Sequence, residues 1–242
     1  MPSPPLSRCR LFLRPRLTPW LVVSCTAWLG VAAVAEEPAP AASRVPSPVA
    51  ALPDASAPPV ITEHAISVGG RELAYRAEAG MLPLLAEEGN LKANVFFVAY
   101  TLVTDADAAR RPILFCFNGG PGAAAVWLHL GGLGPRRALV NEDGTLPPPP
   151  FELVDNEHTV LAVADLVFID PVATGYSRAA KGEKPEQFFG KEADIEAMAE
   201  FIRLYTTRHA RWRSPKYLCG ESYGVFRAAG LAAELQDTHG MF

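Results

Sequence analysis

The chain has 242 residues and a formal net charge of −4, from 22 basic and 26 acidic side chains. It has no basic stripe of the kind that tracks a phosphate backbone, which excludes a nucleic-acid partner. Its four cysteines and five histidines show no metal-ligand spacing, so no metal is expected, and nothing calls for a cofactor.

Residues 1–35 read as an export leader. Arg8, Arg10, Arg14 and Arg16 make a basic start without acidic residues. An apolar run follows from Trp20 to Ala35, and Ala33-Val34-Ala35 supplies a small-residue cleavage site before Glu36-Glu37. The run is 16 residues long, short of the ~20 that span a membrane. Export to a periplasmic or extracellular location is therefore expected, with retention as a membrane anchor the alternative. Residues 36–60 are rich in Ala, Pro and Ser and hold too few large apolar side chains to bury a core, which makes them an extended spacer. Without the leader, 18 basic residues face 26 acidic ones, a net charge of −8. Residues 61–242 remain, enough for a hydrophobic core.

Within them, Gly69-Gly70 between Ile66-Ser67-Val68 and Leu73-Ala74-Tyr75-Arg76 signals a hairpin. Asn94 to Val103 reads as a strand. Arg111 to Phe117 and Ala164 to Asp170 are apolar runs suited to a sheet covered on both faces. Ala123 to Leu130 reads as helical, and Pro147 to Pro150 as a loop. Ile195, Met198, Ala199, Ile202 and Tyr205 recur at helical spacing between Ala193 and His209. Lys216 to Cys219 is a short strand, and Val225 to Leu235 an alanine-rich helix. Strands separated by helices predict an α/β fold with a mostly parallel sheet and flanking helices. Cys116 and Cys219 fall on core strands and are expected as two buried thiols, since neighbouring parallel strands seldom offer disulfide geometry.

Two turns hold the chemistry. Gly220-Glu221-Ser222-Tyr223-Gly224 reads G-x-S-x-G between a strand and a helix, the context of a nucleophile elbow. Its serine would stand beside a helix N-terminus that favours developing negative charge. Asn118-Gly119-Gly120-Pro121-Gly122 follows an earlier strand. Acyl transfer needs two backbone N–H groups aimed at an oxyanion, one from the residue after the nucleophile, here Tyr223, and one from such a glycine-rich loop.

These turns, together with Ile169-Asp170-Pro171-Val172-Ala173-Thr174-Gly175-Tyr176-Ser177, resemble the serine carboxypeptidases, peptidase family S10, from about Lys92 to Leu235. The resemblance implies an α/β-hydrolase fold and a nucleophile at Ser222. It implies an oxyanion hole from the N–H groups of Gly120 and Tyr223. It also implies that Asn118, Gly119 and Glu221 hold the free C-terminal carboxylate of a peptide substrate. Asn118 can donate its amide and Gly119 its N–H, whereas Glu221 must be protonated to avoid repelling the substrate.

The sequence departs from the family pattern at several places. Ala123-Ala124-Ala125 stands where Cys-Ser-Ser is usual, Ala173 replaces a usual glycine, and Gly132 replaces a glutamate that pairs with the one in the elbow. The resemblance therefore does not settle the acid optimum or strict exopeptidase specificity. In this fold the triad runs Ser, Asp or Glu, then His along the chain, and 20 residues follow Ser222, with Glu234, Asp237 and His239 among them. The helix after the elbow leads those away from the site, and His64, His129, His158 and His209 read as core or surface residues. The expectation is an N-terminal portion of an S10-like enzyme, incomplete on the C-terminal side of its sheet and inactive alone. An acyltransferase or esterase on the same scaffold, and a non-catalytic remnant or peptide-binding protein, are the alternatives.

Overall fold

The computed structural model describes residues 55–104 and 107–241. The leader and most of the spacer lie outside them. The chain opens as a meander: β1 (Val60–Val68), β2 (Arg71–Leu85) and β3 (Leu91–Leu102) pair antiparallel, with Val68 opposite Arg71 across the Gly69-Gly70 turn. These strands outrun the hairpin expected from sequence. Gly80 and Pro83 argue against a strand as residue types, yet both lie inside β2. Pro59 packs onto Gly80, where a Cβ would meet Pro59 Cβ at 2.8 Å.

Next come β4 (Ile113–Phe117), one helical turn α1 (Val126–Leu128), and a wide π-helical turn His129–Leu133. A small ribbon follows, β5 (Arg136–Ala138) against β6 (Leu153–Asp155). Then come β7 (Asp165–Ile169), β8 (Arg178–Ala179), α2 (Lys191–Arg208), β9 (Lys216–Gly220) and α3 (Tyr223–Asp237). The helix expected over Ala123 to Leu130 shrinks to α1 for two reasons. The Asn118 side chain takes the Leu128 N–H at 2.9 Å, and Gly131-Gly132 propagate a helix poorly.

The main sheet has the order β1-β2-β3-β7-β4-β9, with β8 added to β3. β3 and β7 are antiparallel, and β7, β4 and β9 are parallel. The parallel pairing foreseen from strand–helix alternation thus occupies the β7-β4-β9 half, which the meander extends antiparallel. Successive side chains of a strand point to opposite faces. Ile113, Phe115, Phe117, Val167 and Ile169 face α2 and α3, meeting Met198, Phe201, Ile202, Leu231 and Leu235. Leu114, Cys116, Leu166 and Phe168 face Tyr100, Leu161 and Leu133 on the other side. Burial on both faces explains the unbroken apolar runs of β4 and β7.

At the N-terminal ends of the parallel strands, buried Asp165 accepts from Arg111 Nε at 2.8 Å, Arg211 Nη1 at 2.7 Å and the Leu102 N–H at 3.0 Å. This cluster ties β3, β4, β7 and the approach to β9 together at the edge opposite the two glycine-rich turns.

Candidate active site

β9 delivers the elbow. Ser222 sits between β9 and α3 with φ 56° and ψ −123°, a conformation a non-glycine residue adopts at a strain of about 1–3 kcal/mol. The flanking glycines are required by close approach. A Cβ on Gly220 would lie 1.9 Å from the Gly224 carbonyl oxygen, and one on Gly224 would lie 2.5 Å from that of Phe117. The turn is closed by Gly224 N–H to Glu221 O at 2.8 Å and by Glu221 N–H to Phe117 O at 3.1 Å. The serine side chain is exposed and caps nothing in its own helix.

β4 delivers the second turn. Asn118, 1% exposed, is held at three points. Its Oδ1 accepts from Leu128 N–H, its Nδ2 donates to Glu221 Oε2 at 3.2 Å, and its carbonyl accepts from Arg227 Nη1 at 2.8 Å. Gly119 presses on the elbow so closely that a Cβ would meet Tyr223 N at 2.5 Å and Ser222 Cβ at 2.9 Å. Asn118, Gly119, Glu221, Ser222 and Tyr223 therefore converge, and Gly120 continues the same loop, exposed. Among the described residues no backbone hydrogen bond outside the helices takes the N–H of Gly120 or Tyr223. Tyr223 is the first residue of α3, where an N–H has no partner inside the helix. Glu221 is exposed, its carboxyl engaged by Asn118.

The loop after β7 supports both turns. Asp170, 6% exposed, accepts from Ala125 N–H at 2.9 Å and Tyr176 N–H at 3.2 Å, so one carboxylate fastens the glycine loop to its neighbour. Burial raises its pKa above the ordinary aspartate value, against the pull of those two N–H groups. Ser177 donates to the Asp170 carbonyl at 2.6 Å and accepts from the Phe96 N–H at 2.8 Å. Ala173 takes φ 69°, a strain of about 1–2 kcal/mol for an L-residue. A largely apolar cleft of about 320 Å³ opens between this loop, Pro121-Gly122, Phe188, Phe189 and Tyr223.

One pair escaped the sequence reading. Arg227 is fully buried and grips Asp194 through Nε–Oδ2 at 2.8 Å and Nη2–Oδ1 at 3.1 Å. Its guanidinium lies 5.8 Å from the Phe117 ring and 5.3 Å from that of Tyr223. The pair binds α3 to α2 and to the backbone of Asn118. A signal existed. Arg227 falls on the stripe Gly224, Leu231, Leu235, and Asp194 beside Ile195 and Met198, so each helix places one charge on its buried face. Two such charges in one fold call for each other.

None of the described histidines hydrogen-bonds Ser222. His129 binds the Tyr100 hydroxyl at 2.6 Å and stacks on Phe168, on the face of the sheet away from α3. Burial lowers its pKa to about 4. His209 stacks on Tyr205, and its Nε2 lies 3.8 Å from the Glu78 carboxylate. Burial, then Arg208 and Arg211, lower its pKa to about 4 as well. His64 and His158 are exposed. Cys116 and Cys219 are free thiols, Cys116 buried and Cys219 only partly so.

A sheet with helices along it, a strained serine between strand and helix, and a glycine-rich loop packed on that serine define an α/β-hydrolase. Residues 71–240 match the serine carboxypeptidase family, peptidase S10, and the chain belongs to that family. It is 25% identical over 168 residues to serine carboxypeptidase-like 9 of Arabidopsis thaliana, covering 67% of this chain and 35% of that protein. It is 31% identical over 134 residues to the pheromone-processing carboxypeptidase KEX1 of Puccinia graminis f. sp. tritici, covering 54% of this chain and 19% of that one. The crystal structure of a prohormone-processing carboxypeptidase from Saccharomyces cerevisiae superposes with a TM-score of 0.55 at 26% identity. That match covers 68% of this chain and 35% of the yeast one. The chain thus spans about a third or less of the length of these relatives.

Proposed function

We propose that the chain holds the nucleophile and oxyanion hole of an exported serine-type carboxypeptidase that removes C-terminal residues from peptides. Ser222 Oγ attacks the scissile carbonyl. The N–H groups of Gly120 and Tyr223 receive the oxyanion, and the intermediate collapses to an acyl-enzyme on Ser222 that water then opens. Asn118, Gly119 and Glu221 hold the substrate's free carboxylate. The observation that supports this most is the left-handed Ser222 with Gly119 packed against its Cβ. A serine without a base is a poor nucleophile at neutral pH. The reading therefore requires an imidazole, and the acid that orients it, from outside the described histidines. Export rests on residues 1–35 alone.

The test uses the protein purified from its native host, with its intact mass recorded first. A fluorophosphonate should label it at Ser222, Ser222→Ala should abolish labelling, and a blocked dipeptide should be hydrolysed. Absence of labelling would overturn catalysis and leave a peptide-binding or remnant role. An esterase or acyltransferase is favoured by one observation: Glu221 is exposed, with Asn118 its side-chain partner and Gly132 where a second glutamate would stand. Equal turnover of the blocked dipeptide and its C-terminal amide would select that second reading.

A further inference from the structure

Behind the elbow, on the face of the sheet away from α2 and α3, two thiols meet. Cys116 on β4 and Cys219 on β9 are register partners in the parallel ladder, and both belong to the cluster around Leu166 and Phe168. Residues 103 apart in sequence are thereby brought side by side, neither in a disulfide. Cys116 precedes Asn118 by two positions, and Cys219 precedes Ser222 by three. The Cys116 thiol also reaches the Leu114 carbonyl at 3.8 Å. The two thiols interact with opposite consequences. The neighbouring Cys116 thiol lowers the pKa of Cys219 to about 7, while contact with Cys219 and then burial raise that of Cys116. One thiol of the pair is thus ready to ionise near neutral pH, and it is the more accessible one. Thiolate character and access together decide thiol reactivity.

Beside the thiols the surface is hollow. Leu114 and Tyr217 lie two residues before Cys116 and Cys219 on the same strands, hence on the same face and about 7 Å away. With Pro112, Val160, Val163 and Ala164 they line an open apolar cleft of about 340 Å³.

We propose that Cys116 and Cys219 form a dithiol site for a soft, thiophilic electrophile of the trivalent organoarsenical class, with its aryl group in the adjoining cleft. An arylarsine oxide, R–As=O, reacts with the two thiols to give R–As(S–Cys)2 and one water. The Cys219 thiolate attacks arsenic first, and Cys116 supplies the second sulfur. Two As–S bonds form, the two thiol protons leave with the oxide oxygen, and no atom changes oxidation state. The adduct cross-links β4 to β9 directly beneath the two catalytic turns. The site is independent of the catalytic reading, because no step of it involves Ser222.

Phenylarsine oxide is the probe, added to the folded 242-residue chain in a C9S/C25S background. Intact-mass analysis should show one phenylarsenic per chain. Excess glutathione should leave it in place and 2,3-dimercaptopropanol should remove it. Tm should rise, because the adduct closes a long loop in the unfolded chain. Cys116→Ser and Cys219→Ser should each raise the probe concentration for half-occupancy by about 100-fold, as expected when a two-point attachment becomes one-point. If Cys116→Ser fails to fold, the glutathione and dimercaptopropanol comparison on the parent decides alone. Failure of the folded parent to take up the probe, release by glutathione, or full retention in the Cys219→Ser variant overturns the proposal.

Discussion

The two halves of the sheet are built to different rules. The meander β1-β2-β3 uses strands of 9, 15 and 12 residues joined by tight turns. The parallel half uses three strands of five residues each. Antiparallel strands end alternately at opposite edges. Parallel strands end at the same edge, so the loops leaving β4, β7 and β9 lie side by side, which is where ligands gather in α/β sheets. The meander supplies area and hydrogen bonds, and the short half supplies position. Polar anchoring follows the same division. The parallel half carries Asp165, Asp170, Asp194, Arg211 and Arg227 as buried charged residues, while the ion pair within the meander, Arg76 with Glu63, lies on the surface.

Substitutions can break that contrast. The largest effect is expected at Arg227→Met, which strands Asp194 without its counter-charge. Removing one partner of a buried pair costs about 3–5 kcal/mol, and urea unfolding should show it as a strongly reduced midpoint or a chain that does not fold. Adding Asp194→Leu should restore part of the loss. Next comes Gly224→Ala, whose Cβ would be driven into the Phe117 carbonyl. Overpacking of this kind costs about 3 kcal/mol at the upper end of its range. Gly70→Ala in the meander hairpin meets open space and should cost about 1 kcal/mol, from its left-handed φ alone.

A pH titration gives the third measure. His129 and His209 have folded-state pKa values lowered to about 4. Between the ordinary histidine value near 6.5 and pH 4 the unfolded chain therefore binds more protons than the folded one. Stability should fall as pH drops through that window, whereas Asp170 and Glu78, with raised pKa values, act in the opposite sense in acid. His129→Gln should flatten the wild-type decline by about 3 kcal/mol at pH 4, read from Tm against pH. An unchanged slope would mean that His129 is protonated in the fold. Least affected should be Arg76→Ala. Its partner Glu63 is 3.8 Å away with both side chains more than half exposed, and such pairs contribute within about 0.5 kcal/mol. A loss there comparable with that at Arg227 would erase the distinction between the halves.

What could be read from the sequence was local. The elbow, the glycine loop and the Asp170 loop are contiguous segments whose residue types are dictated by a turn, and each lies at the end of the strand expected for it. α2 and α3 appear within a few residues of the bounds expected from an apolar stripe and an alanine-rich run. Pairing partners were not legible. β7 inserts between β3 and β4 although it follows β4 in the chain, and no residue in either strand announces that crossover. The extent of β2 was hidden by Gly80 and Pro83, whose tolerance depends on Pro59 and on neighbouring strands. Arg227 and Asp194 are 33 residues apart, and their bond exists only because two helices pack on one face.

Sequence separation also sets the order in which the protein can acquire its site. The meander is complete once Leu102 has been made, and its pairings close over short loops. Asn118 must wait for Glu221, 103 residues on, and for Arg227, 109 residues on. Chains are synthesised at about 5–20 residues per second, so the 125 residues from Leu102 to Arg227 take roughly 6–25 s. Pulse-labelled hydrogen exchange during refolding should find the β2–β3 amides protected before those of Phe117 and Glu221. The elbow serine is thus set in place after the meander, on a sheet that is already half assembled.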